Sequence, residues 1–261
     1  MQQCICNAMT DLKYLLYIDI LGFADLVKSD YNKIRKLFKK IDELNVHRHN
    51  AFQTIVFSDT ILIINKQAPR NTDEHEYLVM YACEFAQDLM FRCIDLEIQF
   101  RAILTYGEFY YEKLENIEAY HGKALVNAYY KENDINCLGF FIDKSILQYN
   151  IIFKTTQFDK DLHFVFLTQN LERLCNFYDA AYLPLDPILI DQADEFPYLK
   201  EEVKIIETLK KNIDTQIDSR VRGKYLQAYH FYNQRYKVFI DQLEKNNFDY
   251  KIVSPTAKWT R

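Results

Sequence analysis

The sequence predicts an α+β fold, an antiparallel sheet with helices packed on it, followed by a mostly helical C-terminal extension. Three observations lead there. The run Tyr14-Leu15-Leu16-Tyr17-Ile18 is continuously apolar and β-favouring, as a strand buried on both faces requires, and it ends in Asp19 before a turn at Gly22. Thr54–Phe57 and Thr60–Ile64 flank Ser58-Asp59, which reads as a hairpin with a carboxylate at its tip. Between and after these strands lie segments whose apolar residues recur at helical spacing.

After Gly22 a helix is expected from Ala24 to Leu44, with Ile34, Leu37, Phe38, Ile41 and Leu44 on one buried face. Lys33, Arg35, Lys36, Lys39 and Lys40 lie between them and read as a solvated face, with His47 and His49 as loop residues behind it. Thr72 reads as the cap of a second helix reaching about Asp95, with Asp73, Glu74 and Glu76 in its first turn, where the dipole favours negative charge. Glu97 to Tyr106 alternates as a strand does, and Gly107 is expected to kink it into Phe109-Tyr110-Tyr111. A helix from Lys123 to about Asn133 follows Gly122. The order β–α–β–β–α–β is that of the ferredoxin-like, or palm, arrangement. It sets the first strand beside the third and brings Asp19 and Ser58-Asp59 to the same edge of the sheet.

Residues 12–150 form this core, and 151–261 read as the extension, packed on the core or on a second subunit. Strands are expected between Asn150 and Phe166, a proline-marked link at 182–187, and helices at about Glu201–Thr215 and Ser219–Lys245. The last carries Tyr225, Tyr229, Phe231, Tyr232, Tyr236 and Phe239, an aromatic stripe that reads as core.

Composition narrows the function. Over 261 residues, 49% hydrophobic and 15% aromatic content supports a packed core rather than disorder. A net charge of −5 argues against a duplex nucleic-acid surface, whose affinity comes mostly from phosphate contacts. No segment has the apolar length of a membrane span, and the first ten residues lack the pattern of a secretory signal, so a cytoplasmic protein is expected. Cys4 and Cys6 have no second close pair to make a zinc site, and Cys83 and Cys93 read as core thiols.

Two acids at neighbouring strand ends are the minimum set for holding divalent cations through hard oxygen ligands. Each acid alone also suits a local role, Asp19 as a helix cap and Asp59 as a turn residue.

Four stretches, in order, resemble the motifs of class III nucleotidyl cyclases: Asp19-Ile20-Leu21-Gly22-Phe23, Phe57-Ser58-Asp59, Arg101–Glu108 and Gly122–Glu132. The resemblance spans about 12–145. Gly122-Lys123-Ala124-Leu125-Val126-Asn127-Ala128-Tyr129, with the later Val221-Arg222-Gly223-Lys224-Tyr225, is similar to the Pycsar pyrimidine cyclases of bacterial antiphage defence. The resemblance implies that Asp19 and Asp59, with the main-chain carbonyl of Ile20, bind two Mn²⁺ or Mg²⁺ ions. It further implies that Gly22 and Phe23 receive phosphate oxygens, and that UTP, with CTP second, becomes the 3′,5′-cyclic nucleotide and pyrophosphate.

Purine-specific relatives read the base edge from positions that are Ile55 and Ala119 here, neither of which offers a side-chain hydrogen bond. A pyrimidine would instead be read by Gln53, Thr54, Tyr120 or His121 around Ile55. The family's transition-state Asn and Arg fall on Val126 and Tyr130, while Asn127 and Lys131 keep the same spacing one residue later. Arg101 is a further candidate cation, or a strand arginine paired with an acid. The implied assembly is a homodimer with active sites at the interface, feeding an effector that senses the cyclic nucleotide. A catalytically inactive nucleotide-binding or dimerisation module is the alternative, motivated by the shifted Asn and cation and by Ser58 where relatives often carry Gly.

Overall fold

The computed structural model describes residues 11–177, 183–185 and 196–255, so Cys4, Cys6 and half of the 182–187 link lie outside the described residues. Strand β1 (Leu12–Ile20) is an interior strand of a seven-stranded sheet, and six of its nine residues in succession, Lys13–Ile18, are buried. It lies antiparallel to β3 (Thr60–Asn65) on one side and to β4 (Phe100–Glu108) on the other. Strand β2 (Phe52–Phe57) closes the β3 edge. Beyond β4 the order continues with β7 (Gly139–Asp143), parallel to β4, then β9 (Leu162–Phe166) and β8 (Lys154–Gln157), both antiparallel to their neighbours. β2-β3-β1-β4 is the expected ferredoxin-like order, and β5 (Tyr110–Lys113) and β6 (Glu118–His121) form a separate hairpin.

Several local expectations give way to stronger capping chemistry. The single helix expected from Ala24 to Leu44 is broken into α1 (Phe23–Ser29) and α2 (Tyr31–Asp42), because Asp30 leaves helical geometry and its carboxylate accepts the Lys33 N–H at 2.9 Å. Asn71, not Thr72, caps α3 (Thr72–Cys93) through the Glu74 N–H, also at 2.9 Å. Gly107 stays within β4, and the chain leaves that strand only at Phe109, whose N–H donates to Asp11 O. The segment expected at Ser219–Lys245 is two helices, α7 (Ser219–Arg235) and α8 (Lys237–Lys245), meeting at Tyr236. His49 is more than a loop residue, since its ring packs among Phe52, Tyr77, Tyr81 and Phe85.

Partners across a sheet point to one face, so the register divides the sheet cleanly. One face carries Tyr14, Leu16, Ile18, Ile61, Ile63, Ala102 and Leu104, and it is sealed by α2 and α3 through Ile34, Leu37, Ile41, Leu78, Phe85 and Leu89. The second face carries Leu15, Tyr17 and Asp19 with their partners Ile64, Leu62 and Thr60. Its middle is covered by α4 (Lys123–Asp134) through Ala124 and Ala128. Toward β7 and β9 it is covered by α6 (Leu199–Thr215), α7 and α8, whose aromatic stripe is core: the Phe164 and Phe231 rings stack 4.7 Å apart. α5 (Gln169–Phe177) joins this layer. Over the end of β2 and the start of β3, at Ile55, Phe57 and Thr60, the same face is open.

Candidate active site

The end of β1 and the β2–β3 turn meet at one corner of the sheet. Ile20 N–H donates to Asp59 O at 3.0 Å, which ties the turn to the strand that carries Asp19. Ser58 adopts φ 58°, a left-handed conformation that swings the two-residue turn back into β3. Gly22, at φ 73°, caps α1, so Asp19 is not a helix cap. Phe23 is buried beneath it and anchors the start of that helix.

Asp19 is half-buried, and its carboxyl is pushed above the usual carboxylate range by burial. Arg101 counters that shift, Asp59 adds to it by repulsion, and Lys224 weakly counters it. Arg101 faces Asp19 across the β1–β4 ladder at 3.4 Å, pairs with Glu132 of α4, and donates to Ile135 O. Its guanidinium is itself pushed down by burial, which is why it takes carboxylates on two sides. Arg101 is therefore a buried connector between the sheet and α4, the structural pairing that a strand arginine allows.

Next to this corner an open, mainly apolar recess of about 440 Å³ lies between the turn end of the β2–β3 face and α4, lined by Tyr17, Ile55, Phe57, Leu62, Val126 and Tyr130 among others. Gln53 is on the same face as Ile55, and it hydrogen-bonds the Tyr120 hydroxyl from the β5–β6 hairpin. Thr54 pairs with Ile63 and so belongs to the opposite face, away from the recess. Asn127 is exposed on α4. Lys131 forms an ion pair with Asp143, whose carboxyl burial would raise but which hydrogen bonds from Lys131 and Ser145 bring below its usual value. Asp143 lies four residues along β7 from Gly139, the partner of Arg101, so Lys131 is turned away from the acids of its own chain.

The donors at the corner are two carboxylates and a main-chain carbonyl, the hard oxygen set that Mg²⁺ and Mn²⁺ take. Repulsion between Asp19 and Asp59 is the electrostatic signature that a shared cation relieves. Among the described residues no cluster of three His, Cys, Asp or Glu would hold a metal alone. Further coordination positions at this corner would therefore fall to substrate oxygens and water.

Three neighbours of the corner were not among the sequence candidates: Glu132, Arg220 and Lys224. The last two come from α7, and their signal is the i, i+4 spacing of two cations just after a capping Asp218. On the sequence alone that pattern is the same as a solvated face.

No family model matches the chain, and no curated protein does. Among solved structures it is similar to the catalytic core of a rhodopsin-guanylyl cyclase with converted specificity, at 17% identity and a TM-score of 0.46 over 60% of this chain and 96% of that one. It is also similar to the monomeric guanylyl cyclase domain of the RhoGC fusion protein from the aquatic fungus Blastocladiella emersonii (17%, TM-score 0.45, covering 60% and 95%). A third likeness is to the adenylyl cyclase CyaB from P. aeruginosa (11%, TM-score 0.43, covering 59% and 93%). The fold itself rests on the strand order and register described above.

Proposed function

We propose that the chain is a metal-dependent nucleotidyl cyclase that converts UTP, with CTP as the second choice, to the 3′,5′-cyclic nucleotide and pyrophosphate. The observation that carries this reading is the joining of Asp19 and Asp59 at one sheet corner by the Ile20 N–H to Asp59 O bond. Asp19, Asp59 and the Ile20 carbonyl would hold two Mn²⁺ or Mg²⁺ ions. When bound, such ions acidify the ribose 3′-hydroxyl and neutralise the departing pyrophosphate. The chain's own work is positioning. Arg101 holds Asp19 in place from β4, Gly22 and Phe23 shape the turn where phosphates would lie, and the recess seats the base against Ile55. An apolar wall at Ile55 with Gln53 and Tyr120 near its far end suits a pyrimidine better than the hydrogen-bonded edge of a purine.

Phe57, Val126, Tyr129 and Tyr130 are large, apolar and exposed around the recess, which supports a homodimer that closes over it. In that assembly Asn127 and Lys131 would reach the acids of the partner subunit. Production of a second messenger in antiphage defence, read by a separate effector, completes the proposal. Among the described residues no helix is long and apolar enough to cross a membrane.

The deciding experiment incubates the purified protein with each nucleoside triphosphate and Mn²⁺, following pyrophosphate and cyclic product. Turnover of UTP or CTP is the expected result, and turnover of ATP or GTP alone would overturn the pyrimidine assignment. One observation favours a second reading, a nucleotide-binding or dimerisation module without turnover: Lys131 is occupied by Asp143. Binding with no pyrophosphate release under any metal would select it.

A further inference from the structure

We infer that the C-terminal extension completes the nucleotide site, with Lys224 and Arg220 of α7 binding the phosphate groups of the nucleoside triphosphate. The inference rests on the triphosphate substrate proposed above, and it assigns a role to a segment that the sequence marks only by an aromatic core stripe and the Val221–Tyr225 resemblance.

The placement of α7 is fixed independently of these two residues. Asp218 caps the helix, accepting the Arg220 and Val221 N–H groups at 2.8 and 3.0 Å. Tyr225, Ala228 and Tyr232 are buried in the cluster that includes Ile103, Ile135 and Leu138, which sets the rotation of the helix. Gly223 lies against the loop after α4, where an added Cβ would meet the Asn136 side chain at an ordinary contact distance of 3.5 Å from Nδ2. That loop also contains Ile135, whose carbonyl accepts from Arg101. The first turns of α7 therefore lie beside the Asp19–Arg101 pair. Arg220 and Lys224, four residues apart, share one helix face, and both act electrostatically on that pair. Lys224 favours the Asp19 carboxylate, and Arg220 opposes the charge on Arg101.

Lys224 is half-buried, and its ammonium is disfavoured by burial, by Arg101 and by Arg220, which together outweigh the favourable pull of Asp19 and Asp218. Such a cation is costly unless an anion meets it. Other cations near the sheet are already engaged: Arg101 with Glu132, Lys131 with Asp143, and Lys211 with Glu97. Among the described residues neither Lys224 nor Arg220 makes an ion pair, and the acids that favour the Lys224 charge are Asp19, already facing Arg101, and the capping Asp218. A triphosphate carries about four negative charges, whereas two divalent cations offset by Asp19 and Asp59 supply a net of about two positive charges. Two further cations close the balance, and α7 presents two.

The test uses the full chain and calorimetric titration with inorganic tripolyphosphate in the absence of metal, then with UTP in the presence of Mn²⁺. Lys224→Met removes the charge and keeps the length, and it is expected to weaken tripolyphosphate about ten-fold, one charge-assisted contact. Arg220→Met is expected to weaken it several-fold, and both losses shrink as salt is raised. Lys224→Arg should stay close to the parent, which shows that charge rather than packing is at issue. Arg222→Met, on an exposed part of the same helix, should change nothing. Tripolyphosphate binding equal to the parent in Lys224→Met, or no binding by the parent itself, would overturn the inference. Full turnover by Lys224→Met would also overturn it while leaving the cyclase reading in place. Lys224-dependent binding without turnover of any nucleotide would retain the inference and remove the cyclase reading.

Discussion

Arg101 is a buried side chain with two carboxylates on it, and the two pairs serve different ends. The pair with Glu132 fastens α4 to the sheet, whereas the 3.4 Å approach to Asp19 steadies an acid whose charged form burial disfavours. Replacing Arg101 with Met leaves Glu132 buried without a partner, which costs about 3 kcal/mol by analogy with other broken buried pairs. A lowered urea midpoint would report it, and an unchanged midpoint would show that the pairing is dispensable. Asp19 and Asp59 should behave in the opposite way. Asp19→Ala leaves Arg101 still paired with Glu132, and Asp59 is a partly exposed turn residue, so each variant should melt within a few degrees of the parent. Each should nevertheless lose Mn²⁺-dependent turnover, and the double variant should be no worse than either single one, because the two acids act as a unit. Near-normal turnover in either single variant would remove the two-acid site. These two acids were legible in the sequence because a buried strand and a two-residue turn each end at a carboxylate. Lys224 stands in the Val221–Tyr225 stretch that carries part of the resemblance, but its place was not legible, since a lysine on a distant helix does not show what that helix will face.

At the scale of elements, the short-range signals were readable wherever hydrophobic period and turn chemistry agreed. β1, the β2–β3 hairpin, α3 and α4 all lie within a few residues of their expected positions. The failures share a cause. Asp30 and Tyr236 interrupt segments whose apolar spacing continues across the break, so periodicity does not register them. β7 is a five-residue apolar run whose strand character is decided by pairing with β4 and β9 rather than by its own sequence. Gly122 illustrates how closely one element can be set by a single residue. Its φ is 142°, and an added Cβ would lie 2.2 Å from Glu108 O and 2.8 Å from Phe109 Cα. Gly122→Ala therefore has to move the start of α4 away from the end of β4, at a cost of about 2 kcal/mol or more. Gly107→Ala places its methyl at an ordinary 3.6 Å from Ala124 and should cost about 1 kcal/mol or less. Urea denaturation of the two variants, compared side by side, checks the contrast. Equal losses would mean that α4 is free to shift.

For the whole molecule, the second layer over β7 and β9 depends on a carboxylate placed where no water reaches. Glu202 of α6 is fully buried and accepts the Asn170 N–H at 3.0 Å, the Asn170 side-chain amide at 2.7 Å and the Leu171 N–H at 2.7 Å, so it caps the start of α5. Burial outweighs these three donors and pushes its carboxyl up to about 8. An acid whose pKa is higher folded than unfolded makes the folded state bind more protons, so stability falls as pH rises between the two values. The contribution is complete below the ordinary glutamate range and is lost progressively up to about pH 8, with a slope of at most ~1.4 kcal/mol per pH unit. Glu202→Gln removes the titration and keeps one acceptor oxygen, while one N–H of α5 is left facing an amide nitrogen, at a cost of about 1 kcal/mol or more. The parent should therefore be the more stable protein at pH 5. The variant should have a flatter profile, with the gap narrowing or reversing by pH 8.5. Melting temperatures of both proteins across that range decide the matter. Parallel profiles would mean that Glu202 stays ionised throughout, with its three donors outweighing its burial.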